Sequence, residues 1–175
     1  MRLAATVLSA LVLSACVSGP AWSDPSEAAV LAEMDANYEQ TAEMAQKLWD
    51  RAEVGYQEEK SSGLLQQTLA NEGFTVTAGV ADIPTAFMAE YGEGGPMIAM
   101  LAEFDALPGI NQSAAPTREE IDGKGAGHAC GHNLFGAGSV SAAIATAKWL
   151  EESGTPGRVR VYGTPAEEGG SGKVY

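Results

Sequence analysis

The residue pattern predicts an α/β sandwich on a mixed, partly parallel sheet. Three observations carry this. Met97-Ile98-Ala99-Met100-Leu101 is a nearly continuous apolar run, as expected of a strand buried on both faces. Leu134, Ala137, Val140, Ile144, Ala147 and Leu150 recur at helical spacing. Arg158-Val159-Arg160-Val161-Tyr162-Gly163 then reads as another strand. A helix between two such strands is the pattern of a parallel crossover. No internal repeat is present.

The chain has 175 residues, enough for one domain with a real core. A hydrophobic content of 45% is too high for a disordered chain. The formal net charge of -13 argues against nucleic acid and anionic membrane surfaces as partners.

Residues 1–23 read as a leader. Arg2 supplies the positive start, and Leu3 to Ala15 is apolar but too short to span a bilayer as a mature helix. Leu13-Ser14-Ala15-Cys16 resembles a bacterial lipobox, with Cys16 as the lipidated first residue. Ala21-Trp22-Ser23 before Asp24 resembles an ordinary cleavage site. Both readings export the mature chain, to the periplasm or as a membrane-anchored lipoprotein. They leave 24–175 as the folded part. The chain has two cysteines, so no disulfide framework is implied. With Cys16 removed or acylated, Cys130 has no intramolecular partner and is free to be a metal thiolate.

Asp24-Pro25-Ser26-Glu27 predicts a helix start, and apolar positions from Val30 to Leu48 carry the helix to about Asp50. After a break at Val54-Gly55-Tyr56, a second helix is expected from about Glu58 to Ala70, stopped by Asn71-Glu72-Gly73. Phe74 to Ala78 and Thr85 to Tyr91 read as strands. The short turn Gly92-Glu93-Gly94-Gly95 predicts an antiparallel hairpin between Thr85–Tyr91 and Met97–Leu101. Pro108 to Gly127 is a long polar loop. Asn133 is the expected cap of the helix that ends near Gly154. Small residues Gly136, Ala137, Gly138, Ser139, Ala142 and Ala143 suggest tight packing of that helix on the sheet.

Chemistry concentrates in two stretches. Gly127-His128-Ala129-Cys130-Gly131-His132-Asn133 holds both histidines of the chain and Cys130. Pro165-Ala166-Glu167-Glu168-Gly169-Gly170 follows the last strand. Cysteine, histidine and carboxylate together suit zinc-like ions. Cys130 and His132 are two apart, so a bent loop can turn both inward. Glu167 and Glu168 are adjacent and diverge, so one can bind metal while its neighbour moves a proton. Asp105 lies at the carboxyl end of a central strand, where α/β sheets place their sites. Glu103, by itself, reads as a solvated strand end. Gly169 to Lys173 is not a phosphate loop, because Glu167 and Val174 stand where glycine and a hydroxyl residue are needed. No Gly-x-Ser-x-Gly elbow is present.

Taken together, Glu103 to Gly109, His128 to Asn133 and Pro165 to Lys173 resemble the ordered motifs of the M20 metallopeptidase family. They are most similar to its amidohydrolase branch, which includes aminoacylases and auxin-conjugate hydrolases. Arg51 to Glu58 resembles that branch's N-terminal helix junction. Asn133, where many members carry Asp, is similar to the p-aminobenzoyl-glutamate hydrolase group. The resemblance covers about residues 28–175. It implies a three-layer zinc-peptidase-like sandwich, here incomplete, and a site with two divalent ions. Zinc is the first expectation, with manganese or cobalt as alternatives. The positions imply that Cys130, His132 and Glu168 are metal ligands and Glu167 the general base. They also imply that Asp105 orients part of the site and that His128 supports it from behind. The implied reaction is amide hydrolysis by metal-activated water on an N-acyl amino acid or aminobenzoyl-glutamate-like substrate.

Family members are much longer, with further metal-binding histidines and an inserted dimerisation domain beyond the position of Tyr175. The resemblance therefore implies the N-terminal part of a catalytic domain, inactive alone and homodimeric at full length. A dipeptidase or carboxypeptidase of the same family is the alternative, and a metal- or peptide-binding fragment without turnover is the rival class.

Overall fold

The computed structural model describes residues 27–175. The expected leader, Cys16 and both candidate processing sites lie outside the described residues.

Two helices, α1 (Glu27–Ala36) and α2 (Tyr38–Arg51), replace the single one expected. They divide at Asn37, whose side-chain amide bonds back to the Glu33 carbonyl at 3.0 Å. This local bond competes with the helix ladder, as asparagine commonly does. Of the expected apolar stripe, Met44, Ala45 and Leu48 are buried in α2, whereas Leu31, Met34 and Tyr38 are exposed. Helix α3 (Glu59–Asn71) starts under Glu53, whose carboxylate accepts the amides of Lys60 at 3.2 Å and Ser61 at 2.7 Å. It stops where expected, with Gly73 at φ +86°.

The sheet contains β1 (Thr75–Ala78), β2 (Phe87–Glu93), β3 (Met97–Glu103) and β6 (Gly157–Thr164), in the order β1-β2-β6-β3. Strands β1, β2 and β6 pair antiparallel, and β3 pairs parallel with β6. The sheet is thus mixed and partly parallel, as expected. The expected hairpin is corrected: β2 and β3 are consecutive and joined by a short turn, but β6 lies between them. Helix α4 (His132–Ser153) makes the crossover that returns the chain parallel to β3.

Residues of α2, α3 and α4 share one core with Phe87, Ala89, Ala102, Val159 and Val161 of the sheet. The other sheet face carries the paired Glu90 and Arg160, with Tyr162 beside Arg160. Burial of β3 on both faces is also corrected. Leu101 is 46% exposed, because the outward face of β3 has no described layer over it, and Ile98, on the core face of this outer strand, is 56% exposed. No described helix is long and apolar enough to cross a membrane.

The expected loop from Pro108 to Gly127 is pinched at its base by a two-stranded pairing of β4 (Leu107–Pro108) with β5 (Ala126–Gly127). Helix α4 then begins behind Gly131, at φ +98°. Asn133 is not the cap. It lies within the first turn, buried, its amide 3.4 Å from the Ala45 carbonyl. The expected tight packing centres on Gly136, where a Cβ would come 2.7 Å from the Glu103 carbonyl oxygen. Gly138 faces open space instead. A short α5 (Glu167–Gly170) follows β6.

Candidate metal centre

Three chain segments meet at the carboxyl end of the parallel pair, where Glu103 of β3 stands in register with Thr164 of β6. Beyond β3 the chain delivers Asp105, beyond β6 it delivers Glu167 and Glu168, and the start of α4 brings His132 between them. This is where parallel strands place ligand sites, because loops diverge from the strand ends there.

His132 is the centre. It is buried, with Nε2 2.8 Å from Glu103 and Nδ1 2.8 Å from Asp105. Glu167 lies 3.9 Å from Nε2, and Glu168 lies 3.7 Å from Nδ1. The hydrogen bond to Asp105 leads the causes that raise the pKa of His132, ahead of opposing burial. Burial works against the Asp105 carboxylate. The His132 bond and the Glu168 amide, which donates to Asp105 Oδ2 at 2.8 Å, outweigh it and lower its pKa. Asp105 thus touches both the imidazole and the backbone of the Glu-Glu turn.

Cys130 is exposed, and the Glu168 charge beside it is the first cause of its raised thiol pKa. One donor atom each from Cys130, His132 and Glu168 lie within 4.8 Å of one another, and so do donors from Glu103, His132 and Glu167. Lys173 reaches Glu167 at 2.7 Å and Glu103 at 3.1 Å, and these bonds, Glu167 first, raise its pKa. Four carboxylates thus surround one imidazole and one ammonium. The excess of negative charge, with a thiol at its rim, fits a divalent cation.

The structure brings together Cys130, His132, Glu167, Glu168 and Asp105 from the expected set. His128 is buried nearby but belongs to neither ligand set. Its Nε2 faces the Leu48 carbonyl at 3.1 Å, its Nδ1 has no partner among the described residues, and burial lowers its pKa. Glu103 is corrected. It is 9% exposed and bonded to His132 and Lys173, not a solvated strand end. Lys173 carried no expected role.

Residues 99–175 match the profile of peptidase family M20/M25/M40. The chain is 45% identical over 143 residues to a p-aminobenzoyl-glutamate hydrolase subunit of Escherichia coli K12, covering 81% of this chain and 30% of that protein. The chain belongs to the M20 peptidase family. This M20 chain is also 33% identical over 153 residues to the Xaa-Arg dipeptidase of Mus musculus, covering 81% of this chain and 32% of the relative. Among solved structures, the YxeP protein of Bacillus subtilis, described as a dinuclear metal-binding peptidase of family M20, superposes with a TM-score of 0.61. That likeness has 28% identity over 75% of this chain and 36% of YxeP. The M20 chain spans about a third of the length of these curated relatives, 30% and 32%.

Proposed function

We propose that the protein is a metal-dependent hydrolase of amide bonds in N-acyl amino acids or aminobenzoyl-glutamate-like substrates. One observation carries the reading. His132 sits among four carboxylates, with the Cys130 thiol at ligand distance from both His132 and Glu168. A divalent ion in that position supplies Lewis acidity toward the amide carbonyl and the attacking water.

In this reading Cys130, His132 and Glu168 hold the ion. Asp105 bonds Nδ1 of His132 at 2.8 Å and so orients the ring toward the ligand set. Glu167 stands on the Nε2 side of the same ring and is the base that takes a proton from water and returns it to the leaving amine. Lys173 bonds Glu167 and Glu103 together and limits where the Glu167 carboxylate can swing. The 45% identity to the p-aminobenzoyl-glutamate hydrolase subunit supports the aminobenzoyl-glutamate class. The 33% identity to the Xaa-Arg dipeptidase supports dipeptides as the second substrate class.

The test is hydrolysis of p-aminobenzoyl-glutamate, N-acetyl amino acids and dipeptides by the whole gene product, before and after chelation. Activity is expected to vanish on chelation and return with zinc, manganese or cobalt. Glu167→Gln is expected to lower kcat by about 10²- to 10⁴-fold while leaving zinc binding within about 3-fold. Undiminished turnover after exhaustive chelation, or in Glu167→Gln, overturns the reading.

A further inference from the structure

The turn that carries Glu167 and Glu168 is held in a disfavoured conformation by a segment from the other end of the chain. Ala166 is fully buried with φ +55° and ψ +38°, the left-handed region that residues with a Cβ rarely adopt. Such backbone persists only where its surroundings over-determine it. Here the surroundings are Gly55, Tyr56 and Glu58, at the junction of α2 and α3. The Ala166 N–H donates to Glu58 Oε1 at 2.8 Å. The Tyr56 hydroxyl donates to the Gly170 carbonyl at 2.8 Å, and Tyr56 is itself at φ +64°. A Cβ on Gly55 would come 2.9 Å from the Ala166 Cα, so this wall admits only glycine at that distance.

Glu58 has no exposed surface. Its second oxygen accepts from the Thr85 hydroxyl at 3.0 Å, and among the described residues no basic side chain is paired with it. A buried carboxylate without a cation is costly, and burial raises its pKa. A helix junction has no need of one. Its bonds instead complete a clamp. Glu58 accepts the amide before Glu167, and Asp105 accepts the amide after it, that of Glu168.

We propose that Glu58 is a positioning residue: by accepting the Ala166 amide opposite Asp105, it fixes the turn from which Glu167 and Glu168 reach His132. This rests on the reading of Glu167 as base and Glu168 as metal ligand. The clamp acts on both side chains at once, so its loss moves metal affinity and kcat together and leaves KM nearly alone.

The experiment compares Glu58→Met, Glu58→Ala and Glu58→Gln with the unsubstituted whole gene product. Thermal unfolding, zinc affinity by chelator competition, and kcat and KM are measured for each. Methionine keeps the volume and removes the acceptor, so it covers the case in which alanine fails to fold. Glu58→Met and Glu58→Ala are expected to bind zinc about 10-fold more weakly and to lose about 30-fold in kcat, with KM within about 3-fold. Glu58→Gln keeps an oxygen for the Ala166 amide and an N–H₂ group for the Thr85 oxygen. It is expected to recover both to within about 5-fold.

A folded Glu58→Met with unaltered zinc affinity and kcat overturns the proposal. So does a Glu58→Met that cannot fold, since the role is then purely structural. If the unsubstituted protein binds no zinc and hydrolyses no amide, the metal-hydrolase reading fails in that first arm, before any variant, and the clamp falls with it.

Discussion

At the scale of single residues, the site is governed by how Asp105 divides its two oxygens. One accepts from His132 at 2.8 Å, the other from the Glu168 amide at 2.8 Å. Asparagine offers one acceptor and cannot serve both. Asp105→Asn is expected to weaken zinc binding by about 10- to 100-fold, read by chelator competition. The pH dependence follows from the same bonds. His132 has a raised pKa in the fold, so its protonated form adds stability below about pH 6.5, and this is lost as pH rises through the higher folded value. A metal ion must displace that proton. Zinc affinity is therefore expected to climb with pH through and above about 6.5, and a pH-independent affinity from about pH 6 to 8 would refute this. Asp105 works in the opposite sense: its lowered pKa adds stability above its ordinary value of 3.8 that is lost as pH falls further. Cys130 and His132 were legible in the sequence because cysteine and histidine are rare in it, and Glu167 and Glu168 because they adjoin one another beside glycines after a strand. Glu103 and Glu58 were not. An isolated glutamate reads as surface, and the partner of Glu58, Ala166, is 108 residues away.

At the scale of elements, α4 sets the depth of the site. Its contact at Gly136 leaves no room for a side chain against the Glu103 carbonyl, which lies at the strand end beside His132. Gly136→Val is expected to cost about 1–3 kcal/mol by forcing helix and strand apart. Because the same shift separates His132 from Glu103 and Asp105, zinc affinity should fall with the melting temperature. A loss of stability with unchanged affinity would show that the helix start is held by something else. Helix α1 is the contrasting case. It buries no residue, and its Glu33 pairs with Lys148 of α4. That bond, the first cause, lowers the Glu33 pKa, so the pair's contribution to stability is present above the ordinary value of 4.5 and lost as pH falls below it. Lys148→Met is expected to speed amide exchange in residues 27–36 at neutral pH while changing global stability by under about 1 kcal/mol. Helices α3 and α4 were legible from apolar spacing and glycine stops. The pairing of β2 with β6 was not, because a short turn favours the neighbouring strand while the actual partner lies beyond α4.

At the scale of the whole molecule, the site and the open side of the sheet belong to one another. The described core lies on one sheet face, and β3 ends the sheet with a free edge among the described strands. Along that edge Met100 and Leu101 meet Leu134 and Phe135 of α4, and Leu134 and Phe135 are 66% and 43% exposed. The apolar run of β3 predicted a strand buried on both faces, and instead Ile98 and Leu101 are exposed. What it requires is a cover, and within the described residues none is present. An exposed apolar edge strand is a template for pairing with another chain. A polypeptide of residues 27–175 is therefore expected to self-associate, its weight-average mass in sedimentation equilibrium rising over the micromolar range. Leu101→Lys together with Phe135→Lys should return it to a monomer, because both side chains stand outside the shared core and a charge on an edge strand opposes pairing. Persistent association in the double variant would place the sticky surface elsewhere, the first candidate being the opposite edge at β1.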